Sequence, residues 1–229
     1  MKEKELSIII PSYQKGKWII NTIKSLLEHF PQAEIIIIND GSKDDTKEIK
    51  DIFGNKIVYL ENEINRGKGY SLRRGFENAK GKYLIFTDAD LPFDIQYIDK
   101  VYQELKRKGS IVIGYREKFY NDRFYKKLLR PFLYLILRIL FGFKHRDTQC
   151  GLKGFAREKG KKLFSLSIIN GFAMDIEILF LAKKLDYSIN KVIVQQEFSS
   201  SDSSTFDFSN ILRMVFDLLI IRFHRYETF

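Results

Sequence analysis

The chain has 229 residues, 45% hydrophobic and 30% charged, so it is too apolar for a disordered polymer and long enough for one domain with a sizeable core. Its single cysteine, Cys150, excludes an internal disulfide and suits a reducing compartment. The net charge of +10 points to an anionic partner, while no stretch reaches the roughly 20 apolar residues of a membrane-spanning helix.

The apolar run Leu6–Ile10 is too short for a signal-peptide core and reads as a strand stopped by Pro11-Ser12. Trp18–Phe30 carries Ile19, Ile20, Ile23, Leu26, Leu27 and Phe30 at helical spacing, and Pro31 closes it. The four isoleucines Ile35–Ile38 predict a central buried strand ending in the turn Asn39-Asp40-Gly41-Ser42. A helix is expected over Asp44–Phe53, a strand over Ile57–Leu60, and a helix over Gly69–Asn78 with Leu72 and Phe76 inward. Tyr83–Thr87 is the next strand, followed by a helix over Asp94–Lys108 and a strand over Ile111–Gly114. Strand and helix alternate with short connections, which predicts a parallel sheet with right-handed crossovers. Gly67-Lys68-Gly69 matches neither the P-loop nor the dinucleotide fingerprint, because Leu72 occupies the last glycine position.

After Gly114 the pattern changes. Arg116 to Arg146 holds nine Lys and Arg against two acids. Arg123, Lys127, Arg130 and Arg138, with Tyr134, form one basic stripe on a strongly apolar helical stretch that Pro131 is expected to divide into two helices. Such a helix is predicted to lie in a membrane interface, with a core helix of solvated basic edge as the alternative. Its apolar face is too broad for nucleic acid. Leu152–Ala156 reads as a short strand, Ser167–Phe172 as a loop, Met174–Lys184 as a helix and Ile189–Val194 as a last strand. Asp175 and Glu177 fall in the first helical turn, where capping accounts for them as readily as chemistry does. Ser199–Thr205 is a polar loop, and Ile211–Phe223 a second strongly apolar helix.

The chemistry centres on Tyr83–Asp90, a four-residue apolar run leading into two carboxylates, Asp88 and Asp90. Open α/β sheets bind ligands at the carboxyl ends of their strands. Paired carboxylates without His or Cys suit Mg²⁺ or Mn²⁺, which commonly sits on phosphate oxygens. Asp-x-Asp alone fits an Asp-rich turn equally well.

Pro11-Ser12-Tyr13, Asn39-Asp40-Gly41-Ser42, Asn65-Arg66-Gly67-Lys68-Gly69, Asp88-Ala89-Asp90, Gly114-Tyr115-Arg116, Arg146–Lys153 and Phe172–Glu177, taken in order, resemble a family 2 glycosyltransferase of the GT-A fold. More narrowly they resemble the dolichyl-phosphate (polyprenyl-phosphate) β-glucosyltransferases, Asp147-Thr148-Gln149-Cys150-Gly151 being the most particular match. Asp217–Arg222 is similar to the family's C-terminal helix. The resemblance implies a single GT-A domain over 1–229, with a mostly parallel Rossmann-like sheet flanked by helices. Residues 1–114 would form the nucleotide-sugar half and 115–229 the acceptor half, with amphipathic interface helices near 120–143 and 209–224. It implies that Pro11, Tyr13 and Asp40 hold base and ribose, and that Arg66 and Lys68 flank base and diphosphate. Asp88 and Asp90 would hold ribose and metal-bound diphosphate, Asp90 being the metal ligand first in line. Arg116 would lie near the transferred phosphate or sugar, and Asp147, Gln149 and Asp175 would line sugar and acceptor. The implied activity is an inverting transfer of glucose from UDP-glucose to a polyprenyl or dolichyl phosphate. It would need Mg²⁺ or Mn²⁺ and would take place in the cytoplasm, on a protein held peripherally at the cytosolic membrane face. A mannosyltransferase using GDP-mannose, a transferase to a glycan or glycolipid hydroxyl with Asp175 as base, and a non-catalytic basic membrane- or nucleic-acid-binding module are the alternatives. Gln14-Lys15 stands where family members often carry Asn-Glu, and Gln195–Phe198 replaces the family's Val-x-Trp.

Overall fold

The computed structural model describes residues 4–117, 124–143, 147–195 and 208–226, without the side chains of 124–130, 132 and 208–212. Arg123, Arg146 and the Ser199–Thr205 loop therefore lie outside the described residues, as do the side chains of Lys127 and Arg130.

The described strands are β1 (Leu6–Ser12), β2 (Glu34–Asp40), β3 (Val58–Asn62), β4 (Tyr83–Phe86), β5 (Ile111–Tyr115), β6 (Lys153–Ala156) and β7 (Ile189–Ile193). They form one sheet in the order β3-β2-β1-β4-β6-β5-β7. The helices are α1 (Gly16–His29), α2 (Ile49–Phe53), α3 (Lys68–Asn78), α4 (Gln96–Lys108), α5 (Phe124–Phe141), α6 (Arg157–Leu166), α7 (Met174–Lys184) and α8 (Phe208–Phe223). The mixed α/β architecture, one seven-stranded sheet flanked by helices, is the one the resemblance implies.

Side-chain alternation along the strands splits the core into two layers. Ile9, Ile36, Ile38, Leu84 and Phe86 face one cluster, with Leu72 and Phe76 of α3 and Leu163 and Phe164 of α6. Ile8, Ile10, Ile35, Ile37 and Ile85 face the other, with Ile19, Ile23 and Leu26 of α1 and Ile98, Val101 and Leu105 of α4. Both faces of β2 are covered, so an unbroken isoleucine run is what the position needs. The strand is nevertheless second from the sheet edge rather than central.

The sheet is mostly parallel, with β6 running antiparallel to both β4 and β5. Two further expectations are corrected. Pro131 does not divide α5, which continues through it. A helix that continues through proline loses one backbone hydrogen bond, and Leu137 and Phe141 beyond it anchor α5 in the core. The Asp44–Phe53 helix is a 3₁₀ turn at Asp45–Glu48 followed by the five-residue α2. α6 was not expected from its sequence, since Arg157–Lys162 is polar and interrupted by Gly160. Its two apolar anchors are enough: Phe164 stacks on Phe76 with ring centroids 3.7 Å apart.

Among the described residues no helix is long and apolar enough to cross a membrane.

Candidate active site

β1 and β4 are adjacent, but the chain leaves β1 toward β2 and β3 and returns on the opposite side at β4. This reversal opens a crevice at the carboxyl ends of the two strands, the usual ligand position in open α/β sheets. Tyr13 emerges beyond β1, half exposed, after the partly buried Pro11. Asp88 and Asp90 emerge beyond β4. The hydroxyls of Ser12 and Thr87, at these same two strand ends, are buried with no hydrogen-bond partner among the described residues.

The antiparallel direction of β6 has a direct chemical result. It brings the segment that precedes the strand, Asp147–Leu152, to the edge where β4 and β5 end. There Arg116, just past β5, meets Asp147. Nε donates to Oδ2 at 2.8 Å, Nη2 to Oδ1 at 2.9 Å, and the Arg116 backbone N–H to Oδ2 at 3.0 Å. Burial disfavours both charges, yet the pairing outweighs it: the Asp147 carboxyl is held below its usual range and the Arg116 guanidinium above its own. Gln149, two residues beyond Asp147, is partly buried. Burial pushes the Cys150 thiol up to about 11.

Lysines hold the other acids. Lys68, at the start of α3, donates to Asp88 Oδ1 at 2.8 Å and lies 3.7 Å from Asp175 Oδ2. Burial opposes the Lys68 charge, but Asp88 and Asp175 overcome it and raise its affinity for the proton. Lys153, wholly buried in β6, donates to Asp175 Oδ1 and to the Cys150 carbonyl. Lys15 reaches Asp90 Oδ2 at 3.3 Å. The family departure at Gln14-Lys15 thus puts an ammonium against one of the two strand-end acids.

Asp40 turns to the loop that follows β3. It accepts the backbone N–H groups of Arg66 at 2.9 Å and Gly67 at 2.8 Å, and the Asn62 amide at 2.6 Å. Arg66 is exposed and lies over the Tyr70 ring, 4.3 Å from its centroid. Asp175 and Glu177 do not cap α7. Asp175 is bound by the two lysines, and Glu177 accepts from residues outside its helix. Lys15, Lys153 and Glu177 carried no expected site role. The signal for Lys153 was a lone lysine between Leu152 and Phe155 in a short strand.

Among the described residues no group of three or more His, Cys, Asp or Glu could hold a metal ion. The donor set nevertheless fits a hard cation whose coordination is completed by phosphate oxygens and water. Asp88 and Asp90 offer only oxygens, and the Lys15 side chain beside Asp90 is partly exposed.

Gly151 packs against Asp88. A Cβ there would lie 1.8 Å from Asp88 Oδ2, so Gly151→Ala must shift that carboxylate, whose other oxygen Lys68 holds. A displacement on this scale is expected to cost about 100-fold in kcat/KM. Thermal unfolding measured alongside transfer should show little change.

Residues 7–168 match the model of Glycosyl transferase family 2. A dolichyl-phosphate β-glucosyltransferase of Trichomonas vaginalis is 31% identical over 96% of this chain and 74% of its own. One of Dictyostelium discoideum is 34% identical over 95% of this chain and 74% of its own. Among solved structures, glucosyl-3-phosphoglycerate synthase of Mycobacterium tuberculosis, in complex with Mn²⁺, UDP-glucose and phosphoglyceric acid, superposes with a TM-score of 0.69. It is 20% identical, with 96% of this chain and 79% of that one covered.

Proposed function

Given that the chain belongs to glycosyl transferase family 2, we propose that this glycosyltransferase moves glucose from UDP-glucose onto a polyprenyl or dolichyl phosphate, inverting the anomeric carbon, at the cytosolic face of a membrane. The observation that carries the acceptor and the sugar is the similarity, over nearly the whole chain, to relatives named dolichyl-phosphate β-glucosyltransferase. We take residues 1–229 as one transferase domain, 1–114 serving the donor and 115–229 the acceptor.

The donor lies across the β1/β4 crevice. Pro11 and Tyr13 border its base, the loop from Asn65 to Gly69 that Asp40 shapes borders its diphosphate, and Asp88 borders its ribose. Asp90, with Asp88 beside it, would hold a divalent cation, Mg²⁺ or Mn²⁺, which would supply Lewis-acid stabilisation of the leaving diphosphate. An acceptor phosphate oxygen forms the new bond to the anomeric carbon while the bond to the diphosphate breaks, and the electron pair leaves with UDP. Arg116, locked by Asp147, orients the acceptor or the sugar. A phosphate acceptor is already anionic and needs no strong base. Both oxygens of Asp175 are engaged by lysines, which favours a positioning role over the base that a hydroxyl acceptor would require.

Support for the membrane position comes from the two apolar helices. α5 exposes Leu135, Ile136 and Ile139, and α8 exposes Val215, Phe216, Leu219, Ile220 and Phe223. A helix that buries one side and leaves an apolar side outward suits an interface.

A donor screen tests the reading. Protein and membranes containing dolichyl or undecaprenyl phosphate receive radiolabelled UDP-glucose, UDP-N-acetylglucosamine or GDP-mannose, with Mg²⁺, Mn²⁺ or chelator. Label entering lipid from UDP-glucose alone, and lost with chelator, is expected. Label from GDP-mannose would replace the donor, and no lipid label from any donor would sink the acceptor assignment.

A further inference from the structure

Glu177 is fully buried, yet all three of its described hydrogen-bond donors belong to other parts of the chain. Oε1 accepts from the backbone of Ile168 at 2.9 Å and from the Tyr226 hydroxyl at 2.8 Å, and Oε2 accepts from the backbone of Ile169 at 3.0 Å. Tyr226 lies three residues beyond α8, its ring 6.4 Å from that of Phe180 on α7. One carboxylate therefore joins α7, the segment 168–170 and the chain that follows α8. Three donors on two oxygens also suit the ionised form, although burial raises the proton affinity of this carboxyl.

The other side of segment 168–170 bears on the donor loop. The Asn170 carbonyl accepts the Gly69 N–H at 2.7 Å. The Ile169 carbonyl accepts from Arg73 Nη1 at 2.9 Å, and the Asn170 side-chain oxygen accepts from Arg73 Nη2. Gly67 has a φ of +96°, and a Cβ on it would come within 2.5 Å of the Asn170 carbonyl oxygen. Segment 168–170 thus lies against the loop at Gly67 and is hydrogen-bonded to it at Gly69. Lys68 sits between Gly67 and Gly69, and its ammonium meets Asp88 and Asp175.

We propose that Glu177 and Tyr226 are positioning residues for donor binding: they hold segment 168–170 as a strap over Gly67-Lys68-Gly69, so that the chain beyond α8 sets where Lys68 stands between Asp88 and Asp175. The donor itself rests on the function proposed above, whereas the mechanical link does not. If α8 lies in the membrane interface, its seating is felt at the donor loop through these bonds.

The test compares wild type with Tyr226→Phe, which removes one hydroxyl and keeps the ring, and with Glu177→Gln. Amide hydrogen exchange in the free protein is read at 67–70 and 168–170, with β1 and β2 as the internal reference. A lost hydrogen bond to a charged group corresponds to about tenfold in an equilibrium constant. Exchange at both segments is therefore expected to quicken roughly tenfold in Tyr226→Phe and by at least that in Glu177→Gln, with the reference strands unchanged. Quickening at 168–170 with 67–70 unmoved would overturn the proposal, as would a uniform rise across the reference strands. In transfer assays the donor KM should rise about tenfold with kcat nearly constant, and a fall in kcat at constant KM would equally overturn it. If UDP-glucose is not a donor, the exchange result still decides the strap, so the two readings fail separately.

Discussion

Asp90→Asn is expected to lower kcat/KM for sugar transfer by about 100- to 1,000-fold while leaving the fold intact. Asn keeps the size of the side chain and removes the negative charge that a divalent cation needs. Asp90 is partly exposed and Lys15, which pairs with it, is more so, so the lost ion pair should cost stability no more than about 1 kcal/mol. A chemical denaturation curve separates the two effects. Calorimetric titration of the free protein with Mn²⁺ gives a second readout and should show weaker binding than wild type. Full transfer activity in Asp90→Asn with metal present would refute the ligand assignment. Asp88→Asn is a useful contrast, because Lys68 already claims one of its oxygens. Its loss should appear in donor KM more than in metal affinity.

The largest stability effect is expected from Lys153→Met. Lys153 and Asp175 form a nearly solvent-free ion pair, with side chains 1% and 4% exposed. Methionine fills much the same volume but leaves one Asp175 oxygen, and the Cys150 carbonyl, without the ammonium they share. Breaking one side of a buried pair costs about 3–5 kcal/mol, because the remaining charge is stranded in a medium that solvates it poorly. Lys68, 3.7 Å away, compensates only in part. Urea unfolding should show this loss as a lower midpoint at unchanged slope. The double variant Lys153→Met with Asp175→Leu should recover most of the stability, since a well-packed apolar pair can replace a buried ionic one. Its activity should be lost all the same, because Lys68 has then lost Asp175. An unchanged midpoint in Lys153→Met would refute the expected cost of breaking the pair.

These results turn on contacts of very different legibility. The isoleucine run of β2 announced a strand buried on both faces, and the layered core follows from its period of two. The apolar Tyr83–Phe86 followed by Asp88 and Asp90 announced acids at a strand end, and β4 ends there. Met174–Lys184 reads as a helix and forms one, yet its pattern does not disclose the tasks of Asp175 and Glu177. Two acids in a first turn look like caps, and only the packing of α7 against β6 and the 168–170 segment gives them other partners. Pro131 reads as a break in isolation, and the core contacts beyond it decide otherwise.

Local pattern and ordered short motifs suffice for the alternation of strands and helices, for the acids delivered to the ends of β2 and β4, and for membership of the family. The packing of whole elements makes β6 run antiparallel and so carries Asp147 and Gly151 into the crevice. It alone decided which lysine faces which carboxylate, and that a tyrosine 49 residues from Glu177 in the chain shares its oxygen. Those outcomes follow from how whole elements pack. Hydrogen bonds and ion pairs act over a few ångströms of space, and residue periodicity carries no record of which distant elements packing brings within that range.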